Sequence, residues 1–210
     1  LKIALMNPLF VDNWSAEVLK ILTSMQCSSQ FSSHKVNGNI LWGDARDKIK
    51  AIPKNLKFDL IFHDAFSPSK CPQLWSEEFL NTLSRKLAPN GRIITYSSSA
   101  AIRGSLKRAG LEVNSITPHS KIEQKWSAGT LAILTKNDFR HKNDPPSSRW
   151  HPLSLMEEEH LLTVAAIPYR DPSGNGSAQE ILHRRAEEQL KSNLISSSSW
   201  RKRWREAQSS

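Results

Sequence analysis

Asp64 stands directly after the apolar run Phe58-Asp59-Leu60-Ile61-Phe62 and His63, and it opens a stiff segment, Ala65-Phe66-Ser67-Pro68-Ser69-Lys70-Cys71-Pro72-Gln73-Leu74-Trp75. A carboxylate at the end of a buried-type strand can accept hydrogen bonds from a cationic group or take up a proton. Pro68 and Pro72 restrict the backbone that follows it, and an aromatic residue, Phe66 or Trp75, sits on either side of them. Such a loop can hold a carboxylate and a flat ring in fixed relation, as a preorganised site requires. The same stretch also reads as a proline-rich connection whose aromatics are simply packed.

Further candidates are scattered along the chain. Gly43-Asp44-Ala45 places an acid at the start of a helical segment, where capping is its ordinary role. Lys70 and Arg103 are cations that can meet phosphates. The terminal run Trp200-Arg201-Lys202-Arg203-Trp204-Arg205 mixes cations with aromatics, which suits RNA phosphates and exposed bases. It equally reads as a helix that lays two tryptophans on the domain. His63 reads as a space-filling residue, and Cys71 has no partner histidine motif that would make it a nucleophile.

The elements that must position these residues are legible as an alternation. Leu1–Met6, Asn39–Trp42, Phe58–Phe62, Arg92–Tyr96, Leu111–Asn114 and Gly129–Leu134 read as strands. Between them lie helical segments: one capped by Asn13 and running to about Met25, a short one from Asp44 to Ile52 stopped by Pro53, one capped by Ser76 with Glu77 and Glu78 in its first turn, and Ala100–Ala109 closed by Gly110. Pro89-Asn90-Gly91 reads as a turn. The pattern predicts an α/β fold, a mostly parallel sheet with helices on both faces, ending in an antiparallel pair. Ligands in such sheets sit beyond the carboxyl ends of the strands, where Asp44, Asp64 and Ser97–Ser99 fall.

After Leu134 the chain changes character. The expected division is 1–135 as the main domain, 136–152 as a polar linker containing Pro145-Pro146, and 153–210 as an extension. The extension carries a helix over Ala178–Lys191 and the basic-aromatic end. The 210 residues are 38% hydrophobic and 23% charged, which suits a soluble domain with a polar segment. No apolar run is long enough for a transmembrane helix. Two cysteines and no signal-like leader point to a cytoplasmic protein without a disulfide framework or a metal site. The net charge of +9 invites a polyanionic partner.

The segment Asp64-Ala-Phe66-Ser-Pro68-x-Lys70-x-Pro72-x-x-Trp75 resembles the Asp-Gly-Phe-Ala-Pro-x-Lys-x-Pro-x-x-Trp signature of the MnmC-type methyltransferase domain. The run Leu87-Ala-Pro-x-Gly-Arg-Ile-Ile-Thr-Tyr96-Ser97, then Ala101-Ile-Arg103 and Ala109-Gly110-Leu111, continues the likeness, which covers roughly Leu1 to Leu134. In organisation the chain resembles short stand-alone members without the oxidase domain. The resemblance implies a Rossmann-like class I fold, S-adenosylmethionine as cofactor, and tRNA as partner. The implied reaction is N-methylation of the 5-aminomethyl group of a wobble uridine, often 2-thiolated. It assigns Asp64 to holding or deprotonating the substrate ammonium, and Asp44 with Ala45 to the adenine. Asp64 and Phe66 also fall to the cofactor, and Phe66 or Trp75 to stacking on adenine or the target base. Lys70, Arg103, Arg201 and Arg203 are the expected RNA contacts.

The chain departs from the family's pattern near its start. Gly38 and Gly43 are its only glycines before the Asp64 loop, and neither stands in a Gly-x-Gly context. Leu5 takes the place of the usual ribose-binding acid. The expectation is a domain incomplete at its N-terminus, entered at the second strand, with the first strand and the Gly-rich loop absent. Two alternatives stay open: a truncated or inactive relative that binds RNA without cofactor, and an aminopropyl transferase of the polyamine-synthase type.

Overall fold

Local sequence signals set the ends of most elements. The computed structural model describes residues 2–118, 127–135 and 149–208. They divide into two units, Leu1–Ala51 and Ile52–Ser210.

The first unit is mainly helical. It contains α1 (Lys2–Leu5), α2 (Pro8–Val11), α3 (Ala16–Ser28), the strands β1 (Gln30–Ser32) and β2 (Asn37–Asn39), and α4 (Ala45–Ala51). Asn7 caps α2 through Leu9 N–H, with Pro8 at the first helical position, where its missing N–H costs nothing. Ser15, not Asn13, caps α3, and Ser29 ends it in the left-handed region at φ 58°. β1 and β2 form an antiparallel hairpin, with Phe31 opposite Gly38. The expected strand at Leu1–Met6 is a helical turn at Lys2–Leu5, because a short apolar run carries no period that separates strand from helix. Leu5 therefore ends a helix and not a ligand-binding strand. The strand expected at Asn39–Trp42 lies earlier, at β2.

The second unit is built on a five-stranded mixed sheet of order β3-β4-β6-β5-β7. Its strands are β3 (Phe58–Phe62), β4 (Leu87–Thr95), β5 (Glu112–Ile116), β6 (Gly129–Ile133) and β7 (Trp150–Pro152). β3 and β4 pair in parallel, and β6 runs antiparallel between β4 and β5. The expected antiparallel partner thus lies inside the sheet, and β7 takes the edge by pairing with β5. Pro152, which has no N–H to donate, is tolerated on that edge. Residues 136–148 of the expected linker lie outside the described residues, while residues 150–152 are strand. Pro89-Asn90-Gly91 is an irregularity within β4, with Asn90 at φ 64°, bracketed by hydrogen bonds to Leu134. Gly129 is required by close approach: a Cβ there would lie 2.3 Å from the Thr95 carbonyl oxygen.

Helices α5 (Glu77–Ser84) and α6 (Ala100–Arg108) pack on this sheet and on each other. Ser76 caps α5 by accepting from Phe79 N–H at 3.2 Å, and the helix buries Phe79, Leu80 and Leu83. α6 is buried from Ala100 through Leu106, and its small residues Ala100, Ala101, Gly104 and Ser105 allow that close packing. Each fully buried large apolar side chain here, such as Leu80, Ile93, Ile102 and Leu106, stabilises the unit by about 1.5–3 kcal/mol.

The C-terminal part adds α7 (Leu155–His160), α8 (Ala178–Lys191) and α9 (Ser197–Gln208). Ser154 with Glu157 and Ser177 with Glu180 form capping boxes, so both helix starts are specified locally. α8 packs against the short 3-10 turn Pro72–Trp75 and buries Ile181. Glu78 accepts from Arg170 Nε at 2.7 Å and from Asp171 N–H at 2.8 Å, which joins this part to the start of α5.

Candidate active site

The parallel pair β3 and β4 delivers its carboxyl ends to one edge, and the Asp64 loop emerges there. His63 N–H donates to the Ile94 carbonyl at 2.8 Å, which extends the ladder one residue beyond β3. The His63 ring is buried beside Trp75, at 4.4 Å between centroids and 68° between planes, and near Phe79. Burial pushes its pKa down to about 4, against the opposing pull of the Leu74 carbonyl and of Asp64. The imidazole is therefore neutral near pH 7, and its Nε2 has no hydrogen-bond partner among the described residues. His63 fills the space beneath the loop.

From that base the loop turns outward. Asp64 is exposed, and none of the described residues hydrogen-bonds to its carboxylate. Phe66 is 79% exposed, and Phe62 at the end of β3 is 71% exposed. A carboxylate and flat apolar faces thus share the carboxyl edge of the sheet. The backbone beneath them is fixed. Trp75 Nε1 donates to the Phe66 carbonyl at 2.6 Å, and Tyr96 Oη donates to the Ala65 carbonyl at 2.9 Å. Lys70 and Cys71 N–H both donate to the Ser67 carbonyl, closing the turn that Pro68 begins. Lys70 itself is exposed at the rim.

Trp75 is 0% exposed, so it does not offer its ring for stacking on a ligand. The alternative of a packed tryptophan holds there. Arg103 is corrected as an RNA contact. Its guanidinium lies inside the fold, donating to Thr130 Oγ1, Ser127 Oγ, the Gly129 carbonyl and Glu157 Oε1, and no phosphate reaches it. Tyr96 was missed by sequence reasoning. Its place at the carboxyl end of β4, beside Asp64 at the end of β3, was the available signal.

In the first unit, Asp44 accepts from Arg46 N–H at 2.8 Å and pairs with the Arg46 guanidinium at 2.7 Å, at the start of α4. The Arg46 hydrogen bond holds the Asp44 carboxyl below its ordinary pKa. Ala45 is exposed beside it. On α9, Trp200 is buried and stacks on His160 at 4.2 Å and 15°. Trp204 Nε1 donates to Glu159 at 2.8 Å, and Arg203 pairs with the same carboxylate. Both tryptophans thus dock the helix, while Arg201 is exposed.

The chain has relatives among known proteins. Residues 9–126 match the family described as S-adenosyl-L-methionine-dependent methyltransferase. The chain belongs to that family. A solved structure titled MNMC2 from Aquifex aeolicus superposes with a TM-score of 0.67 at 32% identity, over 84% of this chain and 52% of that one. An uncharacterized protein of Methanocaldococcus jannaschii is 31% identical over 169 residues, 79% of this chain and 43% of the relative. The tRNA 5-methylaminomethyl-2-thiouridine biosynthesis bifunctional protein MnmC of Pseudomonas savastanoi pv. phaseolicola is 30% identical over 141 residues, 65% of this chain and 20% of the relative. The chain therefore spans about half or less of each of these proteins.

Membership makes S-adenosylmethionine the expected methyl donor and a methyl group, not an aminopropyl group, the transferred unit. The exposed Phe66 ring and the Asp64 carboxylate, which no described residue hydrogen-bonds, fit the flat and polar parts of a nucleoside. Among the described residues, Gly38 lies in β2 and Gly43 precedes α4, so neither forms a Gly-x-Gly turn between a strand and a helix. No helix among these residues is long and apolar enough to cross a membrane. No group of three or more potential metal-ligating side chains occurs among them.

Proposed function

We propose that this methyltransferase transfers the methyl group of S-adenosylmethionine to the 5-aminomethyl nitrogen of a (2-thio)uridine at the tRNA wobble position, in the cytoplasm. The observation that carries the reading is the Asp64 loop. An exposed carboxylate that no described residue hydrogen-bonds and an exposed Phe66 ring stand on a backbone pinned at two successive carbonyls. Two relatives, 30% and 31% identical over 141 and 107 residues, are named for tRNA 5-methylaminomethyl-2-thiouridine biosynthesis.

The cofactor supplies an electrophilic methyl on a sulfonium. The residues of this chain have the remaining tasks. An amine attacks only in its neutral form, whereas a primary alkylamine is mostly protonated near pH 7. Asp64 accepts the ammonium's N–H, orients the nitrogen, and takes up its proton or passes it to solvent. Phe66 stacks on the target base or on adenine and limits its rotation, so that nitrogen and methyl align. Lys70 and Arg201 are proposed phosphate contacts. The proposed domain spans residues 1–135, with residues 153–210 as its extension.

The test is a methyl-transfer assay with labelled S-adenosylmethionine and two tRNA preparations, one carrying 5-aminomethyl-2-thiouridine and one unmodified. Label is expected only in the first, as the 5-methylaminomethyl nucleoside after digestion. Label in neither, or equally in both, sinks the reading.

A further inference from the structure

Tyr96 follows β4 directly and stands at the same sheet edge as Asp64. Its ring meets the buried Trp75 edge-on, at 5.7 Å and 81°. The two side chains hold successive carbonyls of one loop: Tyr96 Oη takes Ala65 at 2.9 Å and Trp75 Nε1 takes Phe66 at 2.6 Å. Two donors in mutual contact thus fix two consecutive peptide planes. Phe66 joins those two planes and Asp64 directly precedes them, and these are the two exposed groups that the proposed chemistry uses. A loop of this kind without such anchors samples many backbone states, and its carboxylate and ring would sample them too.

The two donors differ in kind. Trp75 lies wholly inside, under α8 and against His63, so its loss removes core packing as well as a hydrogen bond. Tyr96 is half exposed, so its hydroxyl can be removed while its ring stays on Trp75. The phenol is also near enough to Asp64 to feel its charge: burial first, then Asp64 and Cys71, raise the Tyr96 pKa. Yet the hydroxyl donates to Ala65 and not to Asp64, so no described residue holds either carboxylate oxygen away from a substrate.

We infer that Tyr96 is a positioning residue for methyl transfer, acting through Asp64 and Phe66 by holding the Ala65 carbonyl. This rests on the methyl-transfer reading of the loop, and the two can fail separately. A misplacement of about 1 Å at a reacting group can cost on the order of 100-fold in rate without weakening binding to the same degree.

The test is Tyr96→Phe, which keeps the ring and removes only the donor. The expected result is a fall in kcat of about 10- to 100-fold, with KM within about twofold and the melting temperature unchanged. Amide exchange of Lys70 and Cys71, whose hydrogen bonds close the turn on Ser67, should quicken about 10-fold as the loop loosens. Unchanged kcat overturns the inference, and so does a fall that appears wholly in KM. If the wild-type protein methylates no tRNA, the substrate reading fails on its own. The exchange rates then decide the anchor: equal rates in wild type and Tyr96→Phe overturn it, and faster exchange in the variant supports it.

Discussion

Arg103 Nη1 donates to Glu157 Oε1 at 2.8 Å, with the two side chains only 1% and 2% exposed. The pair joins α6, at the centre of the second unit, to α7 in the C-terminal part. Ser154 N–H and Oγ both donate to the second oxygen of Glu157, at 2.8 Å each, so the carboxylate caps its own helix while it meets the arginine. Burial alone would raise the Glu157 pKa. The hydrogen bonds from Ser154, Ser115 and Arg103 outweigh it and hold the group ionised.

Removing one partner leaves the other charge buried and unpaired. Glu157→Ala should therefore destabilise the protein by about 3–5 kcal/mol, read as a lower urea midpoint. The double change Arg103→Met with Glu157→Leu removes both charges and should recover most of that loss. If the double variant is no more stable than Glu157→Ala, the cost comes from lost helix capping and not from an uncompensated charge.

His63 predicts the acid side of the stability curve. Its pKa falls from 6.5 to about 4 on folding, so the native state favours the neutral ring. The stability this gives is fully present above pH 6.5 and is lost as pH falls toward 4, because the unfolded chain binds the proton first. The size is roughly 3 kcal/mol over that window. Glu157, whose folded pKa is lowered, adds a loss in the same direction only below its ordinary value of 4.5. Urea midpoints at pH 7 and pH 5 should differ for the wild type and differ less for His63→Leu, the remainder coming from His160, whose pKa burial also lowers. Equal slopes in the two proteins would remove His63 as the cause.

These groups show which parts of the molecule were legible in the sequence. Phe58–Phe62, the Ser76 cap with Glu77 and Glu78, and Ala178–Lys191 are set by neighbours within a turn or two, and they stand where the pattern put them. Asp64 and Phe66 were legible as a loop signature, and the structure leaves both exposed at the sheet edge. The role of Arg103 was not legible, because its partner lies 54 residues away and a cation looks the same in sequence whether it is solvated or enclosed. Leu1–Met6 misled because a short apolar run has no resolvable period. The insertion of β6 between β4 and β5 depends on pairing choices that local patterning does not encode.

Gly129 marks where β6 crosses the end of β4. An added Cβ would lie 2.3 Å from the Thr95 carbonyl oxygen and 3.1 Å from Tyr96 Cα, so the backbones must separate. The Gly129 carbonyl also accepts from Arg103 Nη2 at 3.0 Å, which couples this contact to the buried ion pair. Gly129→Ala should cost about 1–3 kcal/mol, read by thermal or urea unfolding. It should also lower activity more than its stability loss explains, since Tyr96 would shift with the strand. A variant as stable and as active as wild type would mean the two strands have slack that the close approach denies.

Asp64 carries the sharpest test of the chemistry. Its side chain is exposed and makes no hydrogen bond with the described residues, so Asp64→Asn should leave stability within about 0.5 kcal/mol of wild type. The amide keeps the shape but cannot take a proton or balance an ammonium charge. Methyl transfer should fall by about 100- to 10,000-fold, the range associated with a positioned acid–base group. Raising the pH supplies more neutral amine from solvent, so the variant should regain part of its activity at alkaline pH while the wild type gains little. A variant that matches wild type at pH 7 would take Asp64 out of the mechanism. A deep loss with no alkaline recovery would leave it the task of orienting the amine, with the proton leaving by another route.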